Sequence, residues 1–470
     1  MITLTPVLNE SLSVPLYIQL FSYIRDAILK EDILPGEKLP SLRSLSKTLN
    51  LSITTIELAY NQLLVEGYIN SKPQSGYYVN AISSDLNKHM FSKGLSPDNS
   101  QCFPYSLDDT PSKDTYNDPS CFDFTKWKKC FNTILTDYSH LLLQEGDPQG
   151  EGPLRQEISK YLYQSRGVRC NWNQVVIGAG TQQLTNLLCI ILHRLGIDHV
   201  SFEDPGYLPV QGIFKDRDFK ITGVPIDKDG IKIGKLPTNI RSTVYVSPCN
   251  QFPTGSVMPV ARRYALLDWA FQNNSIIIED DYNSELRYDS RPVPSLQGLD
   301  SKGLVVYIGS FSSTLFPSIK ISYMVLPVPM HRLFEEVLGG YTQTCSKTEQ
   351  LTLSLYMNKG YYQTNLKKLR KLYAQKIQSA TTAIYKHAKD HIKILNNSSG
   401  LHMLLELKKM SCAKRTEDIC REAAEAGLAL APVFNYQDDE NASVVIFYYT
   451  RIPIESMEQA ITTFVQILEN

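Results

Sequence analysis

The sequence has little that would place the protein in a membrane, in an oxidising compartment or on nucleic acid through its overall charge. No apolar run approaches the roughly 20 residues needed to span a bilayer, and the N-terminus lacks a basic segment followed by an apolar core. The nine cysteines form no C-x-x-C pair, which fits reduced thiols better than a disulfide framework or a zinc site. A formal net charge of -1 gives no general attraction to nucleic acid. We therefore expect a cytoplasmic protein whose binding sites are local.

Length and composition describe a multidomain globular chain. With 470 residues, 43% apolar and 20% charged, the chain is too long for one ordinary core and suggests two to four domains.

No metal site is predicted. His387 and His391 are spaced to share a helix face, but the sequence offers no third ligand near them.

The first 80 residues have the outline of a small helical module with a β-hairpin. An amphipathic helix is predicted from Pro15 to Lys30, a short second helix after Pro40, and a third helix from Ser52. Tyr68-Ile69 and Tyr77 to Val79 then predict a two-stranded wing. This order is typical of a winged helix-turn-helix, whose third helix enters the major groove of DNA.

Four motifs in this module resemble the GntR-type DNA-binding domain. They lie at 35–45, 52–55, 63–68 and 76–79. The resemblance implies that double-stranded DNA is contacted by Ser41, Arg43, Ser52, Thr54, Thr55 and Gly76. Ile53 departs from the arginine common after the first serine of the helix, so a polar contact is lost there or an apolar contact to a thymine methyl replaces it.

The charge of the module favours binding as a dimer. Residues 1–80 contain six lysine and arginine residues against seven acidic ones, so a single copy should bind DNA weakly and a homodimer more tightly. A winged helix used only for protein contacts is the alternative. Residues 81–119 are rich in Ser, Asp, Asn and Pro and are expected to be a linker.

Residues 120–470 alternate strand-like and helical patterns, which indicates an open α/β sheet. Each predicted strand is followed by polar residues, and ligands of such sheets bind at the carboxyl ends of the strands. The loop from Gly178 to Gln183 follows one strand and begins a long apolar helix. Small residues at a helix N-terminus present backbone N–H groups to an anion, which predicts a phosphate-binding loop.

The segment from Tyr307 to Leu326 resembles the cofactor-lysine loop of fold-type I pyridoxal-phosphate proteins. In that family a strand ends in Gly-Ser/Thr-Phe-Ser-Lys, and a cation seven residues after the lysine holds the cofactor phosphate. Here Ser313 occupies the lysine position and Lys320 the position of the cation. A serine hydroxyl cannot form the imine that a lysine amine forms.

Together, the GntR-type module and the aminotransferase-like body resemble the MocR/GabR regulators over nearly the whole chain. The fold implied is a large α/β domain with a mixed, mostly parallel sheet and a small C-terminal α+β domain at about 350–470. The resemblance implies that the cofactor site comprises Gly180, Thr181, Gln182, Tyr207, Asp280, Tyr282, Ser310, Ser313 and Lys320. Within it Tyr207 stacks on the pyridine ring, Asp280 pairs with the ring nitrogen and Tyr282 is directed at the 3-hydroxyl.

A second departure lies near the C-terminus, where the family carries an arginine for a substrate carboxylate within its last strand. That strand is expected at 443–450, and Arg451 follows it. The carboxylate clamp is therefore displaced or absent, which makes an α-amino acid effector held by a bidentate arginine less favoured.

From these patterns we expect a transcription regulator with a small-molecule effector site and no catalytic residue. Its cofactor is expected to be pyridoxal phosphate or a related vitamer, bound non-covalently. Two alternatives stay open: a working aminotransferase with a fused DNA module, and a regulator whose body binds an unrelated ligand.

Overall fold

The computed structural model describes residues 14–82, 122–288, 293–338, 340–397, 400–408, 414–433 and 443–469, with 4, 6, 8 and 9. The chain divides into two compact units, residues 1–111 and 112–470. Most of the predicted linker at 81–119 lies outside the described residues, so the predicted domain boundaries stay predictions. Among the described helices, none has the length and apolar character needed to cross a membrane.

The N-terminal unit is a winged helix. Its elements are α1 (Leu16–Leu29), α2 (Leu42–Leu49), α3 (Ile53–Val65), β1 (Ile69–Lys72) and β2 (Gly76–Val79). The two strands pair antiparallel, with Ile69 opposite Val79. Most of the apolar positions that predict the helices are buried, and they form one core that includes Leu20, Ile24, Leu45, Ile56, Tyr60 and Leu63. The periodicity therefore sets which face of α3 is left exposed.

The centre of the second unit is a mixed sheet of eight strands. The strands are β3 (Val175–Ala179), β4 (His199–Asp204), β5 (Lys220–Asp227), β6 (Gly230–Ile231), β7 (Thr243–Val246), β8 (Ile276–Asp280), β9 (Val305–Ser310) and β10 (Ile321–Val325). Their order across the sheet is β3-β10-β9-β8-β7-β4-β5-β6. The pairings from β5 through β4, β7 and β8 to β9 are parallel, whereas β10 runs antiparallel to both of its neighbours.

Helices cover both faces of this sheet. They are α4 (Phe124–Asp137), α5 (Gly152–Arg166), α6 (Thr181–Arg194), α7 (Leu208–Asp216), α8 (Val260–Gln272), α9 (Leu296–Leu299), α10 (Val328–Leu338) and α11 (Lys347–Asn358). Alternate residues of one strand point to opposite faces. Accordingly Val175 and Ile177 join the core under α4 and α5, while Val176 joins the core under α6 and α7. Both faces are buried, which explains the continuous apolar runs in the sequence.

The C-terminal part is a four-stranded antiparallel sheet with helices. It contains α12 (Tyr361–His387), β11 (Ile392–Asn396), β12 (Met403–Leu407), α13 (Thr416–Glu425), β13 (Leu430–Val433), β14 (Val444–Phe447) and α14 (Met457–Glu469). The strand order is β11-β12-β14-β13. The predicted fold class, a winged helix followed by a fold-type I aminotransferase-like body, is confirmed.

Two local predictions are wrong. The last strand was expected at 443–450 but ends at Phe447, and Tyr449–Arg451 form a 3-10 helix. Burial of Tyr449, whose hydroxyl donates to the Gly400 carbonyl at 3.0 Å, outweighs the local β-pattern. His387 and His391 do not share a helix face, because α12 ends at His387; each histidine instead contacts a different glutamate.

Candidate functional site

The two serines predicted to contact DNA are helix N-caps. The Ser41 hydroxyl accepts the Ser44 amide at 3.2 Å at the start of α2. The Ser52 hydroxyl accepts the Thr55 amide at 3.1 Å at the start of α3. Capping uses a lone pair of the oxygen and leaves the hydroxyl proton available as a donor. Ser41 can therefore cap a helix and donate to a phosphate, and Ser52 can do so when the Thr55 hydroxyl, 2.8 Å away, is the donor of the bond between the two hydroxyls.

The exposed face of α3, the helix predicted to enter the major groove, carries apolar side chains. Ile53 and Leu58 are 49% and 47% exposed, and Thr54 beside them is also exposed. Thr55 is half-buried, and its hydroxyl lies 2.8 Å from that of Ser52. Thr55 is thus partly engaged by its own helix, whereas Thr54 is open to a ligand.

The other two predicted DNA contacts differ in chemistry. Arg43 is exposed on α2 and has no ion-pair partner among the described residues. Gly76 begins β2 with φ of +110°, a conformation that L side chains rarely adopt, and a Cβ there would lie 3.2 Å from Lys38. Lys72 lies over the Tyr78 ring at 4.6 Å, so the wing carries a cation beside this glycine.

In the body, antiparallel strand β10 brings three distant predicted residues to one corner of the sheet. Ile321 at the start of β10 pairs with Ala179, the last residue of β3. Ser322 pairs with Ser310, the last residue of β9, and the two serine hydroxyls are 2.9 Å apart. Because β10 lies between β3 and β9, Gly180, Ser310 and Lys320 converge there. We call this corner the phosphate corner.

The phosphate corner presents donors that no described residue accepts. Helix α6 has no side-chain cap at Gly180, and the amides of residues 181–183 have no acceptor among the described residues. Lys320 is exposed, with φ of +48°, and has no described hydrogen-bond or ion-pair partner. A free helix N-terminus beside a cation is suited to a phosphate group.

Asp280 lies at the carboxyl end of β8, as predicted. One of its carboxylate oxygens accepts the Tyr245 hydroxyl at 2.6 Å. Burial raises the pKa of Asp280 to about 6, although the hydrogen bond from Tyr245 acts in the opposite direction. A cationic ring nitrogen would favour the ionised carboxylate, so this position fits a protonated pyridine.

Sequence reasoning missed Glu203, a second acid beside Asp280. Glu203 is 5% exposed, and one carboxyl oxygen accepts the Ser247 amide at 3.1 Å. The other has no hydrogen-bond partner among the described residues. Burial raises the pKa of Glu203 to about 8, although the hydrogen bond from the Ser247 amide acts in the opposite direction. The sequence signal that could have indicated this arrangement is the alternation of side-chain direction along β7, which places Tyr245 between the two acids.

Aromatic side chains form one wall of the site. Phe252 lies between Tyr207 and Tyr282, with ring centroids 5.9 and 6.2 Å away and edge-to-face geometry. His402 from the C-terminal sheet lies 5.5 Å from Phe252 and hydrogen-bonds to the Pro253 carbonyl. The predicted Tyr207 is 38% exposed. Sequence reasoning did not single out Phe252 or His402.

Ser313 lies in the turn at 311–315, directly after β9, and is half-buried. The residues before and after it are held by internal bonds: the Ser312 amide donates to the Ser310 hydroxyl at 3.3 Å, and the Thr314 hydroxyl lies 3.0 Å from that of Tyr362. The turn therefore has a defined conformation between Ser310 and Lys320, the two other predicted residues of this loop.

One buried acidic group has the composition of a metal site but is occupied by cations of the protein. Cys249, Glu279 and Asp281 offer ligand atoms within 4.8 Å of one another. The Arg166 guanidinium donates to both oxygens of Asp281, at 2.9 and 3.0 Å, and to Cys249. Arg263 also reaches the Cys249 sulfur, at 3.7 Å. This is the arrangement of an ion-pair network.

The predicted residues of the body fit a phosphorylated pyridine. The uncapped N-terminus of α6 and Lys320 suit a dianionic phosphate, Asp280 suits a ring nitrogen, and Tyr207 and Tyr282 suit an aromatic ring. Arg451 lies in the 3-10 helix after β14, outside the last strand in which the family's arginine is expected. The individual roles of these residues stay predictions.

Comparison with known proteins identifies relatives for both units. Residues 16–79 match the family described as bacterial regulatory proteins, gntR family, and residues 115–437 match aminotransferase class I and II. An uncharacterized HTH-type transcriptional regulator of Bacillus subtilis, YdeL, is 39% identical over 92% of this chain and 92% of its own. The probable rhizopine catabolism regulatory protein MocR of Rhizobium meliloti is 30% identical, over 91% and 88%.

Among solved structures, kynurenine aminotransferase from Pyrococcus horikoshii superposes with a TM-score of 0.64 at 24% identity. The match covers 75% of this chain and 88% of that enzyme. At this level of identity the likeness concerns the fold alone.

Proposed function

The chain belongs to the GntR-type transcription regulators that carry an aminotransferase class I and II domain, and we propose that its body is a sensor that has lost the means of transamination. In this proposal residues 1–80 bind DNA, and residues 120–470 bind a small-molecule effector and form a homodimer. The observation that carries the proposal is Ser313, at the position where the family has its lysine.

The loss of the lysine removes the covalent link to a cofactor but leaves the groups that hold it. We propose that Lys320, Ser310 and the amides of Thr181 and Gln182 bind the phosphate of pyridoxal phosphate or a related vitamer, with Gly180 forming the start of this loop; the Gly180 amide itself donates to the Gly178 carbonyl at 2.8 Å. Asp280 would pair with the ring nitrogen, Tyr207 would stack on the ring and Tyr282 would reach its 3-hydroxyl. When bound, such a cofactor supplies an electron-withdrawing ring and an aldehyde or amine.

Without the covalent link the occupant should exchange easily. Lysine at position 320 acts as a point charge, whereas arginine would offer a planar fork to the phosphate. We therefore expect calorimetry to detect reversible binding of pyridoxal phosphate or pyridoxamine phosphate. Absence of heat and of competition between the two at millimolar concentration would favour a body that binds an unrelated ligand.

The lysine position is tested by Ser313→Lys. An amine restored in the turn after β9 should give a yellow protein with added pyridoxal phosphate and a stable lysine adduct after borohydride reduction. Ser318→Lys is the matched control, because Ser318 is an exposed serine of the same loop. The parent and the control should form no adduct at these positions.

Two results would contradict this proposal. A parent protein that already forms a reducible lysine adduct would show that the lysine position is misassigned and would favour a working aminotransferase. A Ser313→Lys variant that binds no vitamer would show that the pocket has diverged beyond this residue. Transamination itself need not return, since the carboxylate clamp is displaced or absent and orientation of the reacting atoms contributes several kcal/mol to catalysis.

DNA recognition is proposed to require two modules of a dimer. The exposed face of α3 offers Ser52, Thr54 and the apolar Ile53, which suits a thymine methyl. Glu57 on the same helix is also exposed and repels phosphates. Two half-sites combine through effective concentration, so binding should depend steeply on salt.

The DNA proposal is tested with duplexes that the full chain selects from a random-sequence library. Arg43→Ala should weaken binding to a selected duplex by on the order of 1 to 3 kcal/mol. Arg25→Ala is the control, because Arg25 lies on α1 and pairs with its neighbour Asp26 at 2.7 Å. Equal affinities for the parent and Arg43→Ala would remove Arg43 from the contact surface.

A further inference from the structure

The body contains a long segment that has basic residues and no acidic ones. Residues 350–389 include seven lysines and one arginine but no aspartate or glutamate. The whole chain, in contrast, has 47 basic and 48 acidic residues. The segment spans most of α11 and all of α12. Positive charge is therefore concentrated on these two helices.

Three lysines of this segment share the exposed face of α12. Lys367, Lys368 and Lys371 are exposed, and Lys371 lies within about one helical turn of both others. The buried residues of the first half of α12 lie on the opposite face of the helix. Like charges at this spacing repel one another and destabilise a helix. The cluster is therefore unfavourable for the helix itself.

The start of α4 and the turn before α12 extend this basic surface. The Lys126 ammonium lies 5.0 Å from the ring centroid of Tyr361, the first residue of α12. Burial raises the pKa of the Cys130 thiol, and the charges of Lys359 and Lys129 oppose that rise, so both lysines lie near this thiol. We call the six lysines together the basic face: Lys126, Lys129, Lys359, Lys367, Lys368 and Lys371.

Asp123 is an acid whose charge reaches the basic face. Its pKa is lowered, first by the hydrogen bond from Thr125 and then by the charges of Lys368 and Lys126. The same carboxylate accepts the Thr125 amide at 3.0 Å and thereby caps α4. One carboxylate cannot neutralise six ammonium groups, so the face keeps a net positive charge.

Other acids of the body have partners outside this face. Glu157, which contacts the Asn358 amide at the end of α11, pairs with Lys160 at 2.8 Å. Glu458 pairs with Lys386 at 2.6 Å, near the far end of α12. In the part of the chain that the structure describes, no lysine of the basic face forms an ion pair. The face is thus available to an anionic partner.

We propose that the basic face binds the phosphate backbone of the duplex DNA that the winged helix recognises. This inference rests on the proposed DNA-binding function and extends it to the body. Duplex DNA carries one negative charge per about 1.7 Å of its axis and releases counterions when lysines contact it. The winged helix, with six basic residues against seven acidic ones, supplies little of this attraction. The winged helix would read the sequence, and the basic face would add affinity that does not depend on sequence.

The test compares two duplexes that carry the same selected sequence. One ends at the edges of that sequence, and the other is extended on each side by arbitrary sequence of two helical turns, about 20 base pairs. The full chain should bind the extended duplex more tightly, and this additional affinity should depend on salt. If three phosphates are neutralised, it should weaken by about 40-fold between 50 and 200 mM salt.

The three lysines of α12 provide the decisive variants. The triple variant Lys367→Gln, Lys368→Gln, Lys371→Gln should lose the additional affinity and bind the short duplex as the parent does. Replacement of the same three residues by arginine keeps the charges and should keep the additional affinity. Thermal unfolding of each variant checks that the body is folded.

A matched control replaces Lys215, Lys228 and Lys235, three exposed lysines elsewhere in the body, by glutamine. It lowers the net charge by the same amount and should behave as the parent. Equal losses of the additional affinity in this control and in the α12 glutamine variant would overturn the proposal, because the effect would then reflect net charge alone.

The parent protein distinguishes failure of this inference from failure of the DNA-binding function. Equal affinities of the parent for the two duplexes at 50 mM salt would overturn the inference, leave DNA binding by the winged helix intact and assign the face to another anionic partner. Failure of the parent to bind either duplex would contradict the DNA-binding function itself, and this inference with it.

Discussion

Replacement of Glu203 by glutamine should make the body more stable at alkaline pH. Glu203 is buried beside Asp280, and one of its oxygens has no hydrogen-bond partner among the described residues. Glutamine keeps the shape and an oxygen that can accept the Ser247 amide. Unlike glutamate, it cannot acquire a negative charge.

The pH range and magnitude follow from the two pKa values of this carboxyl. In the folded protein burial raises the pKa of Glu203 from its ordinary value of 4.5 to about 8. As the pH rises between these values, the unfolded chain loses this proton while the folded protein retains it, so stability falls. Each pH unit of separation corresponds to about 1.4 kcal/mol. The full loss, reached above about pH 8, is therefore on the order of 5 kcal/mol.

Urea unfolding followed by tryptophan fluorescence measures this difference. Trp127, Trp172 and Trp269, the three tryptophans of the chain, all lie in the body, so the signal does not report the winged helix. The stability of Glu203→Gln relative to the parent should increase from pH 5.5 to 8.5. Glu425→Gln, at an exposed glutamate, should show no such trend. A difference that stays constant across this range would refute the reasoning.

Three further outcomes are expected. Ser52→Ala should lower the free energy of unfolding of the winged helix by about 1 kcal/mol, because it removes the side-chain cap of α3. Circular dichroism during urea unfolding measures this change, and Ser44→Ala, at an exposed serine inside α2, is the control. Tyr245→Phe removes the donor to Asp280 and should raise the pKa of that carboxyl above about 6, visible as a shift in the pH dependence of vitamer binding. Lys376→Met should destabilise the C-terminal sheet in thermal unfolding, because the buried amine donates to the Thr450 carbonyl.

Much of the candidate site could be predicted from the sequence because it is local. Asp280 comes directly after an apolar run, so its place at the carboxyl end of β8 follows from the run alone. Gly180 is the last small residue before an apolar helix and therefore marks its N-terminus. The caps Ser41 and Ser52 follow from the same kind of signal.

The remaining residues of the site depend on strand order, which the sequence does not contain. Tyr245 lies on β7, and Glu203 and Asp280 lie on the strands to either side of it. The three side chains are separated by more than 30 residues along the chain and meet only through the order β8-β7-β4. The end of β14 was misjudged for a related reason, since the burial of Tyr449 is a tertiary effect.

The antiparallel placement of β10 has a consequence for folding. Gly180 and Lys320 are 140 residues apart in the chain, and they adjoin only after β10 has entered the sheet between β3 and β9. Closing so long a loop costs entropy before any contact at this corner is gained. A phosphorylated ligand of this corner, if bound as proposed, would therefore have little affinity for a partly assembled sheet. The ligand should therefore slow unfolding and leave the folding rate nearly unchanged.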